Sequence, residues 1–185
     1  MEKDGTFYHD AKSKAEAFNE AFLKFSSIDS ENANLPNFEF KTNARLSHLD
    51  VTEEGVINIL KSLDCSKATG SDGISAKMLY STAKLIAPSL TKLIKLSLSI
   101  SKVPIIWKQA NVLPLFKKDD KSDFTNYRPV SLLNITSKVC EKVVFKHVFN
   151  YIRDNNLITL HQSSFTPGDS IVHQLVYYAT LFAKR

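Results

Sequence analysis

The chain has 185 residues, of which 43% are hydrophobic, enough for one domain with a real core. Its apolar runs are short and broken by Lys or Ser, which excludes a membrane span, and MEKDGTFYHD at the start lacks the apolar centre of a secretion signal. Residues 1–54 hold 6 basic and 11 acidic residues, leaving 18 and 8 for residues 55–185, so a net +5 divides into −5 and +10 and suggests a polyanionic partner for the body.

Taken in order, residues 10–25 have helical periodicity. Ala11, Ala15, Phe18, Phe22 and Phe25 recur at spacings of four and three. Residues 26–50 are polar and aperiodic, with Pro36 and several Asn, and read as a linker. Asp50 with Glu53 has the form of a capping box for a second helix. Val56, Ile59, Leu60 and Leu63 make its apolar stripe. Asp64 to Gly73 reads as a loop. It has no preceding strand and no G-K-[ST] ending, so it is not a P-loop.

Residues 75–86 and 88–101 are predicted helices, with Pro88 in a first-turn position and Leu90, Leu93, Ile94 and Leu98 facing the core. After Trp107, Ala110 to Phe116 is an apolar arm ending in Lys117 and Lys118. Asp119 to Asn126 is short, polar and charged, as turns are. Tyr127 to Leu133 is a second arm. Together they predict an antiparallel hairpin. Pro129 cannot donate to a ladder, so its arm lies at a sheet edge or leaves the sheet there. The hairpin gathers Lys117, Lys118 and Arg128 at one end, a set suited to phosphate, with Arg as a bidentate fork and Lys as a compact charge. A solvated turn with ordinary surface lysines fits the same residues.

Ser137 is placed to cap a helix running to about Asn155. Cys140, Val144, Val148, Tyr151 and Ile152 face inward on it, and Lys138, Lys142, Lys146 and Arg153 make its outer side positive. A last helix follows Gly168, with Asp169 or Ser170 as N-cap. Its apolar residues, Ile171, Val172, Leu175, Val176, Tyr178, Leu181 and Phe182, cover most of its circumference, so it wants packing on two sides. Cys65 and Cys140, far apart in sequence, fit an intracellular, reducing compartment rather than a disulfide framework. The five histidines have no metal-ligand spacing with them.

Four stretches, in order, carry a resemblance. Lys67-Ala68-Thr69-Gly70-Ser71-Asp72-Gly73-Ile74 is the first. Trp107-Lys108, Ala110-Asn111-Val112, Pro114, Lys117-Lys118-Asp119 and Asn126-Tyr127-Arg128-Pro129-Val130-Ser131-Leu132-Leu133 form the second. Lys138 with Glu141 is the third. Gln162-Ser163-Ser164-Phe165-Thr166-Pro167-Gly168-Asp169-Ser170 is the fourth. These resemble the "KAPGPDGI" box, the fingers hairpin, the "K..E" helix and the "QxGF" box of non-LTR (LINE-type, jockey-like) retrotransposon reverse transcriptases. Thr69 and Ser71 replace prolines usual in that family, Ser164 replaces Gly, and Thr166 stands where Arg is frequent.

The resemblance implies an α+β fold, mostly helical with one antiparallel β-hairpin: the fingers, or the fingers with the start of the palm, of a right-hand polymerase. Residues 1–50 would be an N-terminal amphipathic helix and polar linker, and 51–185 a partial reverse transcriptase domain. Lys117, Lys118 and Arg128 would meet nucleotide or backbone phosphate, and Gln162 and Phe165 would lie beside the template. RNA or DNA, bound without sequence preference, and a palm domain are the implied partners. The full-length family uses Mg²⁺ held by palm carboxylates. The boxes that supply them are missing from these 185 residues, where Asp119-Asp120 is the only acidic pair of the central hairpin, so no catalytic residue and no cofactor is expected in this chain. A nucleic-acid-binding module without chemistry, and a helical interaction protein derived from a mobile element, are the alternative functions.

Overall fold

A computed structural model describes residues 2–3, 6–26, 41–159 and 168–183. The elements are strands β1 (Glu2–Lys3) and β2 (Thr6–Phe7), then helices α1 (Ala11–Ser26), α2 (Glu53–Lys61), α3 (Ala76–Ser81) and α4 (Ala83–Ser99). A 3-10 turn (Ile105–Lys108) leads into β3 (Ala110–Phe116). A second 3-10 turn (Phe124–Asn126) leads into β4 (Tyr127–Leu133). Helices α5 (Ile135–Asp154) and α6 (Ile171–Ala183) follow. The fold is α+β, as expected. β1 pairs with β2 and β3 with β4, both antiparallel. No described helix is long and apolar enough to cross a membrane.

The chain divides into two compact units, Met1–Asn37 with Asp50–Val144, and Phe38–Leu49 with Phe145–Arg185. The main core of the first unit joins Val51, Val56 and Leu60 to Leu79, Leu90, Ile94, Trp107, Ile135 and Val139. In the second, the segment after residue 40 runs along the end of α5. The Tyr151 hydroxyl donates to the Ala44 carbonyl at 2.7 Å, and the Thr42 hydroxyl reaches Asn155 Oδ1 at 3.4 Å.

Several helix ends differ from the sequence expectation, each for a local reason. α2 is capped by Thr52, whose hydroxyl accepts from the Gly55 amide at 3.1 Å, and not by Asp50. Val51 intervenes and is buried. It stands just before the cap, and Val56 stands four residues into the helix. Both join one core cluster, as in a hydrophobic staple that sets the entry of the chain. The break between α3 and α4 falls at Thr82, not at Ala87. The Thr82 hydroxyl donates to the Met78 carbonyl at 2.8 Å and ends α3, and its own carbonyl accepts from Ile86 and starts α4. Pro88 therefore lies inside α4 and costs it one backbone bond. Ala83, Ala87, Leu90, Ile94 and Ser97 are buried in one stripe across that point, so tertiary packing outweighs the local defect.

In α1 the buried positions are Ala17, Phe18, Ala21 and Phe22, while Ala11 and Ala15 are exposed. In α5 the deepest positions are Ile135, Val139 and Val143. Cys140 and Val144 are half-buried and Val148 is exposed, which corrects the expected face. Burial, with the nearby Glu141, pushes the Cys140 thiol up from its ordinary value, which lowers its thiolate fraction. The α6 cap is as read. The Ser170 hydroxyl accepts from the His173 amide at 3.3 Å, and Asp169 Oδ1 lies 3.0 Å from His173 Nδ1. No α6 residue is buried.

Candidate nucleic-acid interface

The hairpin forms in the predicted arms, with Ala110 opposite Leu133 and Phe116 opposite Tyr127. Pro114 and Pro129 face each other at its centre. The Lys117 amide donates to the Asn126 carbonyl at 2.9 Å. Counting back along the alternating ladder, the two prolines form a non-hydrogen-bonded pair, so their nitrogens point outward. Both outer edges therefore lack a donor at the same level. Neither can accept a third strand with a full ladder.

Alternation also sorts the side chains. Leu113, Leu115 and Lys117 share one face with Val130 and Arg128. Arg128 is directly opposite Leu115, one step from Lys117. Leu113 is 51%, Leu115 58% and Val130 39% exposed. This front face is thus an open apolar strip with two cations at its tip end. Among the described residues neither Lys117 nor Arg128 has a carboxylate partner. Lys118 differs: its ammonium is 3.6 Å from Asp119. The structure brings Lys117 and Arg128 to one face and leaves Lys118 in the turn with its own counterion.

The turn is polar and charged, as expected, except at one position. Phe124 is buried there. It anchors the second 3-10 turn against α1, and the polar residues tie the rest of the loop. Asp119 takes a φ of 69°, which Asp tolerates better than most side chains. Asp120 accepts from the Ser122 amide at 2.8 Å and the Ser122 hydroxyl at 2.6 Å. These bonds hold its carboxyl below the ordinary value. Asn126 Nδ2 donates to the Asp120 carbonyl and the Tyr127 hydroxyl to the Lys121 carbonyl, each at 2.9 Å. The turn therefore spends Asp119 on Lys118 and Asp120 on Ser122. Among the described residues no three His, Cys, Asp or Glu side chains converge.

Sequence reading missed Asn134. It is fully buried and stands between β4 and α5. Its Oδ1 accepts from the Ser71 hydroxyl and the Asp72 amide, both at 3.2 Å, and its Nδ2 donates to the Ile106 carbonyl at 2.6 Å. One side chain thus joins the glycine loop, the turn before β3 and the end of β4. Gly70 lies against it: a Cβ there would come within 2.6 Å of the Asn134 backbone. The available signal was an Asn at a strand-to-helix junction, where a cap belongs. Ser137, expected to cap α5, is instead buried inside its first turn and donates to Glu141 at 3.3 Å. Gln162 and Phe165 lie outside the described residues.

No protein-family model matches the chain. It is 25% identical over 155 residues to a protein described as a probable RNA-directed DNA polymerase from transposon BS of Drosophila melanogaster, covering 83% of this chain and 17% of that protein. It is 30% identical over 123 residues to the retrovirus-related Pol polyprotein from type-1 retrotransposable element R1 of Bradysia coprophila, covering 65% of this chain and 12% of that one. The chain therefore spans less than a fifth of the length of the curated relatives it matches. It is a reverse-transcriptase-like chain, related to the polymerase proteins of non-LTR transposons.

Proposed function

We propose that the chain is the fingers part of a LINE-type, jockey-like RNA-directed DNA polymerase, and that its hairpin binds the phosphates of RNA or DNA without sequence preference. Residues 51–185 are the partial polymerase domain, and the helix and linker of residues 1–50 precede it. The observation that carries the proposal is the pairing of Lys117 and Arg128 on one face of the hairpin, with no carboxylate partner among the described residues. The +10 net charge of residues 55–185 supports it, as do the polymerase names of the relatives. Arg128 supplies a planar fork and Lys117 a point charge. In this reading magnesium chemistry belongs to carboxylates of a palm outside these 185 residues.

The test is binding of single-stranded RNA as a function of salt. Replacing Lys117, Lys118 and Arg128 by Ala is expected to weaken binding and flatten the slope of log K against log salt. Each lost phosphate contact accounts for about 0.7 on a single strand. Lys117 and Arg128 should account for most of the change, since Lys118 already has Asp119. An unchanged slope in the triple variant removes the hairpin from the interface.

The same proposal predicts that this chain alone does not extend a primer on RNA or DNA, with magnesium or with manganese. Template-dependent incorporation that a chelator abolishes would contradict it.

A further inference from the structure

The hairpin is a two-stranded ribbon, and such ribbons are marginal in water unless something packs on them. Residues 111–115 and 128–131 are exposed. The paired prolines close both edges to a third strand. Among the described residues, two anchors stand out. At the base, Asn134 ties the end of β4 to the turn before β3. At the tip, the back face carries Phe116 and Tyr127, with ring centroids 5.4 Å apart. Phe18 of α1 sits edge-on to both Tyr127 and Phe124, at 4.9 Å and 4.6 Å. Tyr8 meets Phe124 at 5.6 Å, and Ala17, Ala21 and Phe22 complete this second core.

We propose that α1 is a positioning element for the cation pair. It grips Tyr127 and the Phe124 turn from behind, so that Arg128 and Lys117, the next residues along each strand, are held out on the front at a fixed separation. This rests on the proposed phosphate-binding role of the hairpin. Edge-to-face aromatic contacts add directional stabilisation beyond area burial. They therefore set the orientation of the tip as well as its adhesion. With α1 loosened, the ribbon pivots on its base. Its two cations then no longer engage neighbouring phosphates together.

The experiment uses the full chain and a short fluorescent single-stranded RNA. Phe18→Ala with Phe22→Ala changes no charge. It is expected to weaken binding about tenfold and to lower the salt slope by about 0.7 to 1.4, the value for one or two lost phosphates. The Lys117 amide should exchange faster. Adding Lys117→Ala and Arg128→Ala to that variant should do little more. Partial unfolding of the sample scales the apparent affinity but leaves the slope alone, so the slope separates positioning from mere loss of folded protein. Emission of Trp107, buried in the other core, reports that the main fold persists. If the double variant does not fold, Phe18→Leu, which keeps apolar bulk and loses the ring edge, should give a smaller decrease in slope. A parent-like slope and parent-like exchange in the folded Phe18 variants, with Lys117→Ala/Arg128→Ala still weakening binding, overturns the positioning role and leaves the phosphate site standing. If Lys117→Ala/Arg128→Ala itself leaves the slope unchanged, the site and the positioning role fall together.

Discussion

Replacing Asn134 by Ala is expected to destabilise the first unit by about 3 kcal/mol, because a buried donor or acceptor left without a partner costs about 1–3 kcal/mol. Two groups lose theirs outright, the Ser71 hydroxyl and the Asp72 amide, while the Ile106 carbonyl loses its 2.6 Å donor and keeps only the longer bond from the Gln109 amide at 3.4 Å. The hydroxyl and the amide sit in a part-buried loop that water can reach in some measure, which keeps the total below the simple sum. Against a net stability of about 5–15 kcal/mol for a domain, this is a large share. Gly70→Ala should cost a similar amount by another route, since its Cβ meets the Asn134 backbone and not only the side chain. Overpacking of this kind costs about 1–3 kcal/mol. It follows that Asn134→Ala should not rescue Gly70→Ala. Trp107 is the only tryptophan, it is buried, and it follows Ile106 directly. Its emission in a urea titration reads both variants. A midpoint for Asn134→Ala equal to that of the parent would show that the junction is not held by this side chain.

The second large effect concerns α6. Ile171 is 78% and Phe182 71% exposed, and Leu175 and Tyr178 complete a stripe between them. Val172, Val176 and Leu181 widen it, and the helix has no Lys, Arg, Asp or Glu between Ile171 and Ala183. Burying one large apolar side chain is worth roughly 1.5–3 kcal/mol, so a stripe of them left in water is a strong drive to associate. The isolated chain is expected to self-associate through α6 and to exchange the amides of residues 171–181 early. Leu175→Glu with Phe182→Lys should return it to a monomer in sedimentation while leaving Trp107 emission unchanged. A parent chain that sediments as a monomer with those amides protected would show that α6 needs no partner.

Much of this was legible in the residues. The hairpin arms, the apolar stripe of α2 and the excess of apolar surface on α6 follow from periodicities of two and 3.6, which are local properties of the chain. Proline chemistry placed β4 at an edge or leaving the sheet for the same reason. Lys117, Lys118 and Arg128 were brought to one end by the hairpin alone. Only the tertiary structure separated them: the register put Lys117 and Arg128 on one face, and the turn paired Lys118 with Asp119. The cap of α2 moved from Asp50 to Thr52 because Val51 is taken into the core first. Pro88 sits inside α4 because a buried stripe carries the helix past it. Asn134 and the clasp of Phe18 on Phe124 and Tyr127 were invisible for one physical reason. Each joins residues 28 to more than 100 positions apart, and a sequence read along its length records neighbours in the chain, not neighbours in space.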